Sequence, residues 1–112
     1  MKDDRIYLLH IRDALRRILD YTAEGKDSFF EDSKTQDAVV RNLEIVGEAV
    51  KNLSPQFKAN YPEIHWKSIS GMRDKLIHEY FGVNLNLVWH TIENDVPGFL
   101  QEIEKALRES GN

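Results

Sequence analysis

Apolar residues in this chain return at every third or fourth position along its long segments, with no sustained two-residue period, and that regularity sets its class. From Asp4 to about Ala23, the residues Leu8, Ile11, Leu15, Ile18 and Thr22 line up on one side of a helix. Ser33 and Gln36 have the spacing of a capping box, with Thr35 and Asp37 also suited to a first turn. After them Val39, Leu43, Val46, Val50 and Leu53 form a second stripe of the same kind. No segment sustains an alternation of apolar with polar residues, and no Asn-Gly or Asp-Gly hairpin signal occurs. The expected fold is all-α, an up-and-down bundle of four to five helices in one domain spanning residues 1–112.

Punctuation between the stripes supplies the rest of the architecture. Gly25 ends the first helix, and Ser54-Pro55 is an N-cap followed by the residue best tolerated at the first helical position, which opens a short helix over 55–60. Tyr61-Pro62 breaks it. A third main helix is expected from Trp66 to Phe81, stopping at Gly82. Asn84 can cap a last segment carrying Leu85, Val88, Ile92, Val96, Phe99, Ile103 and Leu107, which Pro97 should kink or divide near Asn94 or Asp95. Gly47, in the middle of the second stripe, weakens its helix by about 1 kcal/mol relative to Ala, so another backbone is expected to pack close there.

Size and charge narrow the function classes. A chain of 112 residues is large enough for one core and too small for two. There is no cysteine, hence neither a disulfide framework nor a thiolate metal site, and a reducing compartment is the natural expectation. Acids in Met-Lys-Asp-Asp-Arg do not fit a signal peptide, and no apolar run approaches the ~18 residues of a membrane span. A cytoplasmic protein without membrane contact is expected. The net charge of −4 argues against a broad basic surface for nucleic acid, although Arg12, Arg16 and Arg17 can form a local basic strip. Brief, local contact with RNA is easier to reconcile with that charge than tight binding.

The chemistry is concentrated in Gly71-Met-Arg-Asp-Lys-Leu-Ile-His-Glu-Tyr-Phe81, where Arg73, His78 and Tyr80 stand in an Arg-x4-His-x-Tyr arrangement. On an ideal helix Arg73 and His78 are about 140° and about 7.5 Å apart, so they are not automatic neighbours. Asp74 shares a face with His78, and Arg73 with Tyr80. A phosphate lying between the two stripes would bring Arg73 and His78 together, and so would a twofold homodimer in which two copies of this helix face each other. His78, with an ordinary pKa of about 6.5, can take the proton of a ribose 2′-OH or give one to the leaving 5′ oxygen. Arg73 can stabilise charge on the non-bridging oxygens. Asp74 can orient the imidazole. On residue types alone, the same stretch also reads as an ordinary surface helix with Asp74–His78 and Lys75–Glu79 pairs.

Other candidates are weaker. A second pair with the same spacing, Arg5 and His10, lacks that setting and looks accidental. His10, His65 and His90 are scattered, His78-Glu79 lacks the second His of a zinc-protease helix, and His90 with Glu93 has nothing obvious to complete a metal site. No Gly-rich phosphate loop exists, so no cofactor or metal is expected. Tyr7, Tyr21 and Tyr61 read as packing or rim residues, and Trp66 and Trp89 as core or helix-interface residues.

Several blocks in order carry a resemblance that covers nearly the whole chain. They are Ala38-Val-Val-Arg-Asn-Leu-Glu-Ile-Val-Gly-Glu-Ala49, His65-Trp-Lys-Ser-Ile-Ser70, the Gly71–Phe81 stretch, and Val88-Trp89 with Asp95-Val-Pro97. The sequence resembles the HepT family of HEPN-domain proteins, the toxin halves of bacterial and archaeal toxin–antitoxin pairs. The resemblance implies a metal-independent endoribonuclease whose catalytic Arg73 and His78 lie at a homodimer interface, with Asp74 as the supporting residue in a position that is often Asn. It also implies a minimal nucleotidyltransferase antitoxin as partner, transferring AMP to Tyr80. A second function class compatible with the residues is a catalytically silent HEPN module that serves as binding subunit of a nucleotidyltransferase complex.

Overall fold

The computed structural model describes residues 2–78 and 82–110, with side chains throughout except at positions 2, 3, 77 and 78. Among these residues there are seven helical segments and no strand: α1 (Lys2–Tyr21), α2 (Lys26–Glu31), α3 (Ser33–Asn52), α4 (Pro55–Ala59), α5 (Trp66–His78), α6 (Leu85–Asn94) and α7 (Val96–Ser110). The stripe on α1 is the centre of the core, with Leu8, Ile11, Leu15 and Ile18 each no more than 1% exposed. Thr22, the one polar member of that stripe, donates its hydroxyl to the Ile18 carbonyl at 2.7 Å and is thereby satisfied where it is buried. Gly25 then takes φ 99°, a backbone setting that side-chain-bearing residues rarely adopt, and turns the chain.

The structure departs from the sequence reading just after that turn. α2 fills the interval between Gly25 and Ser33 and buries Phe29 completely. Six residues make less than two turns, so no helical period could announce it. The cap of α3 is Asp32 rather than Ser33. Its carboxylate accepts from the backbone N–H of Lys34 at 3.0 Å and of Thr35 at 3.4 Å, and from the Thr35 hydroxyl at 2.9 Å. A charged acceptor is favoured over a hydroxyl at the positive end of a helix. The Thr35 hydroxyl, chiefly, holds the Asp32 carboxyl below its ordinary pKa. Gln36 closes no capping box; its amide donates back to the Phe29 and Phe30 carbonyls at 3.0 and 3.2 Å, fastening α2 to α3.

The starts of α4 and α6 and the break before Pro97 agree with expectation. Ser54 caps α4 through Phe57 N–H at 3.1 Å, and Asn84 caps α6 through Leu87 N–H at 3.1 Å. The chain breaks at Asp95, between α6 and α7, two residues before Pro97. Ser54 also ties the start of α1 to α4: its N–H and hydroxyl donate to the two oxygens of buried Asp4 at 2.8 and 2.6 Å.

Polar contacts fix the helix directions. Asp4 meets Ser54 and the Arg17 Nε donates to Asn42 Oδ1 at 2.8 Å, so α3 runs against α1. Arg5 donates to the Leu107 carbonyl at 3.2 Å and Arg16 to Glu104 at 2.8 Å, so α7 also returns along α1. Helix α5 packs on α3, and α6 packs on α7. The result is the expected up-and-down arrangement of α1, α3, α5 and the broken α6–α7 arm. No described helix is long and apolar enough to cross a membrane. The anticipated basic strip on α1 is tied up internally, since Arg12 pairs with Asp13 at 2.9 Å, Arg16 with Glu104, and Arg17 with Asn42.

Candidate functional site

Helix α5 is anchored at its first residue. The indole N–H of Trp66 donates to the carbonyls of Lys58 and Tyr61 at 3.2 and 3.1 Å, and its ring meets Phe57 and Phe99 edge-on. That contact puts Trp66 in the core, one of the two places expected for it. Leu76, ten residues on, is the other end of the buried face, with Ile69 and Met72 half-buried between them.

Arg73 sits on the edge of this face and lies directly over Gly47 of α3. A Cβ built on Gly47 would fall 2.1 Å from Arg73 Cβ and 3.3 Å from its Cα. The glycine is there to let α5 come close, as its cost to α3 implied, and the residue it admits is the arginine of the motif. Once seated, the guanidinium is held by two carboxylates. Nη2 meets Glu48 Oε1 at 2.9 Å and Nη1 meets Asp74 Oδ1 at 3.1 Å. Lys51 donates to that same Asp74 oxygen at 2.6 Å. The Lys51 hydrogen bond, followed by that of Arg73, lowers the Asp74 pKa below its ordinary value, against a smaller opposing effect of burial. Asp74 thus pairs with the arginine and ties α5 to α3 through Lys51.

Along one flank of Arg73 runs an open groove of about 310 Å³, walled by Tyr7 and His10 of α1 and by Arg41, Glu44, Ile45, Glu48, Ala49 and Asn52 of α3. His10 therefore belongs to the surroundings of Arg73, although its sequence partner does not: Arg5 points to the C-terminal end of α7. The spacing that made Arg5 and His10 look like a pair was accidental, yet His10 reaches the motif arginine through the antiparallel packing of α1 and α3. Glu48 and Lys51 were likewise not singled out by spacing. Four-residue steps from Gly47 along α3 would have led to Lys51, once α5 was known to cross at the glycine.

Helix α5 is described as far as His78, and the expected run on to Phe81 lies outside the described residues. The His78 side chain, and Tyr80 altogether, lie outside the described residues, so the Asp74–His78 and Lys75–Glu79 surface pairs do as well. The remaining candidates have structural roles. The Asn94 amide reaches His90 Nδ1 and the His90 carbonyl, each at 3.1 Å. The His65 carbonyl accepts from Ser68 and Ile69 N–H at the start of α5. Tyr61 donates its hydroxyl to Glu109 at 2.6 Å, and that carboxylate pushes the phenol pKa up to about 12. Among the described residues no three His, Asp or Glu side chains are grouped to hold a metal ion.

Comparison with known proteins gives the family. A family model described as "Ribonuclease HepT-like" matches residues 11–106. A candidate RNase of Methanocaldococcus jannaschii is 44% identical over 109 residues, covering 96% of this chain and 90% of the relative. A HepT ribonuclease candidate of Thermococcus cleftensis is 46% identical over 100 residues, covering 88% and 91% respectively. A candidate RNase of Caldanaerobacter subterraneus is 44% identical over 110 residues, covering 97% and 95%. No solved structure matches the chain. From the extent of the family match and the identity sustained along nearly whole relatives, the chain belongs to the HepT-like ribonuclease family.

Proposed function

We propose that the protein is the toxin half of a toxin–antitoxin pair, a metal-independent endoribonuclease acting through Arg73 and His78 at a cleft shared by two copies of the chain. The observation that carries this reading is the placement of Arg73. A glycine in the neighbouring helix makes room for it, two carboxylates orient it, and it opens onto a groove. The groove leaves one flank of the guanidinium open to a substrate phosphate.

In the proposed reaction His78 takes the proton of a ribose 2′-OH, and the 2′ oxygen attacks the adjacent phosphorus. The P–O5′ bond breaks, and the 5′ oxygen accepts a proton from an imidazolium, leaving a 2′,3′-cyclic phosphate and a 5′-hydroxyl end. Arg73 neutralises charge on the non-bridging oxygens as the phosphorane forms. A substrate phosphate meets a guanidinium already shared by two carboxylates, and full access to it requires one of them to move. Glu48 is the one to yield, because its side chain is 55% exposed and Asp74 is also held by Lys51. Antitoxin control is assigned to a minimal nucleotidyltransferase that attaches AMP to Tyr80, bringing a phosphate to the mouth of the site in place of RNA.

The double carboxylate hold on Arg73 and the net charge of −4 favour one alternative, a silent binding subunit of a nucleotidyltransferase complex. Purified protein separates the two. Active protein should cut RNA in EDTA and leave cyclic phosphate ends. Arg73→Ala and His78→Ala should each lower kcat on the order of a hundredfold or more at unchanged helical content. Absence of cleavage together with stable binding of the nucleotidyltransferase would install the alternative.

A further inference from the structure

The groove beside Arg73 has a composition that the two motif residues do not account for. Tyr7 packs half-buried against the core while still lining it, and its ring meets the exposed His10 ring edge to face at 6.3 Å and 87°. Arg41, also exposed, stands on the opposite wall. Unlike Arg12, Arg16 and Arg17, it makes no hydrogen bond or ion pair among the described residues. Arg73 lies over Gly47 whereas Leu76 shares a recess with Val40, Arg41 and Glu44, so Arg41 lies in the direction in which α5 advances from Arg73. An aromatic face, an imidazole and a guanidinium unpaired among the described residues, gathered in one open recess, form the combination that takes up a nucleotide of a single strand, by base stacking and phosphate contact.

We infer that this groove is the seat of the nucleotide flanking the scissile phosphate, with Tyr7 stacking its base and Arg41, assisted by His10, meeting its phosphate. The inference rests on the ribonuclease reading above and adds residues from α1 and α3 to it. The groove volume of about 310 Å³ is at the small end of ligand sites, suited to one nucleotide and too narrow for a duplex. Its acids set the character of the binding. Glu48 is already paired with Arg73, and Glu44 offsets part of the charge of Arg41, so attraction is local and depends on stacking. That matches a chain whose overall charge repels RNA at a distance.

The test uses the full-length chain and a fluorescein-labelled single-stranded RNA oligonucleotide. Binding is followed by anisotropy in the His78→Ala background, and cleavage in the wild-type background. Tyr7→Ala and Arg41→Ala are expected to weaken binding about tenfold each and to raise KM by a similar factor, with kcat within about twofold. Tyr7→Phe and Tyr7→Trp should restore binding, since each retains a stacking face. Arg41→Ala should also reduce the slope of log affinity against log salt by about one. Equal thermal stability of Tyr7→Phe and wild type guards against a folding artefact. If the wild type cleaves and both alanine variants bind as well as their parent, the groove assignment is overturned. The same holds if Tyr7→Phe loses as much as Tyr7→Ala. If the wild type fails to cleave but binds the oligonucleotide in a Tyr7-dependent way, the groove stands and the ribonuclease reading falls.

Discussion

Helices α1 and α5 both pack against α3, by opposite means. On α1, four large apolar side chains and Ala14 are sealed from solvent, and the polar contacts with α3 and α7 lie outside that seal. On α5, among the described side chains, only Trp66 and Leu76 are buried, near opposite ends. Between them α5 is located by a missing Cβ at Gly47 and by the Glu48–Arg73–Asp74–Lys51 ion pairs. Apolar burial is strong and indifferent to direction, whereas half-exposed ion pairs contribute little energy and specify direction well. The bundle therefore concentrates its stability in the α1–α3 pair and leaves the site helix placed by fit and charge. Changes on α5 should alter chemistry with little loss of fold, and changes on α1 the reverse.

The sharpest way to break that contrast is Ile18→Ala, which removes a fully buried side chain and should cost about 2–5 kcal/mol. Thermal unfolding should show a fall in Tm on the order of 10 °C. Protein that remains folded should cut RNA with an unchanged kcat. A loss of activity larger than the unfolded fraction would mean that α1 and the site are not separable.

Gly47→Ala tests the seam itself and should have the next largest effect. The new methyl meets Arg73 atoms fixed close to the backbone, so the two helices must part rather than a side-chain tip move aside. Overpacking of this kind costs about 1–3 kcal/mol. The expected signature is a modest drop in Tm with activity reduced nearly as far as by Arg73→Ala, because the guanidinium is carried away from the groove. Full activity in a folded Gly47→Ala protein would show that the close approach is not what positions Arg73.

Legibility followed the same division. The stripes of α1, α3 and α6–α7 could be read in advance because apolar burial repeats with the helical period, and Ser54, Asn84 and Pro97 mark boundaries by local chemistry. Helix α2 was too short to repeat, and Asp32 took the cap from Ser33 because a carboxylate is the better acceptor at that end. At the site, the spacing of the motif pointed to Arg73, and Gly47 to a close contact, but nothing in the sequence joined the two. That pairing depends on where α5 crosses α3, as does the arrival of His10 beside Arg73 from a helix more than sixty residues away in the chain. Tertiary neighbours leave no periodic trace.

The gentlest probe of the comparison is Asp74→Asn, which removes a charge and keeps an oxygen facing Arg73 and Lys51. The folded-state pKa of Asp74 is lowered from the ordinary value of 3.8 by its bonds to Lys51 and Arg73. A carboxylate with a depressed pKa stabilises the fold above its unfolded pKa and loses that contribution as pH falls through the folded one. Wild type should therefore melt slightly above Asp74→Asn across neutral pH, by less than either of the preceding changes. The gap should stay constant down to about pH 5 and close as pH drops below 3.8. Activity should move the other way. Without the second negative charge at its side, Arg73 is freer to accept a phosphate, so kcat/KM for RNA should rise a few fold at neutral pH. The Arg73 tether to Glu48 remains in the variant, which limits the gain. A stability gap that widens on acidification would contradict the depressed carboxylate, and a fall in kcat/KM would show that the charge of Asp74, rather than its hydrogen bonding, keeps Arg73 in place.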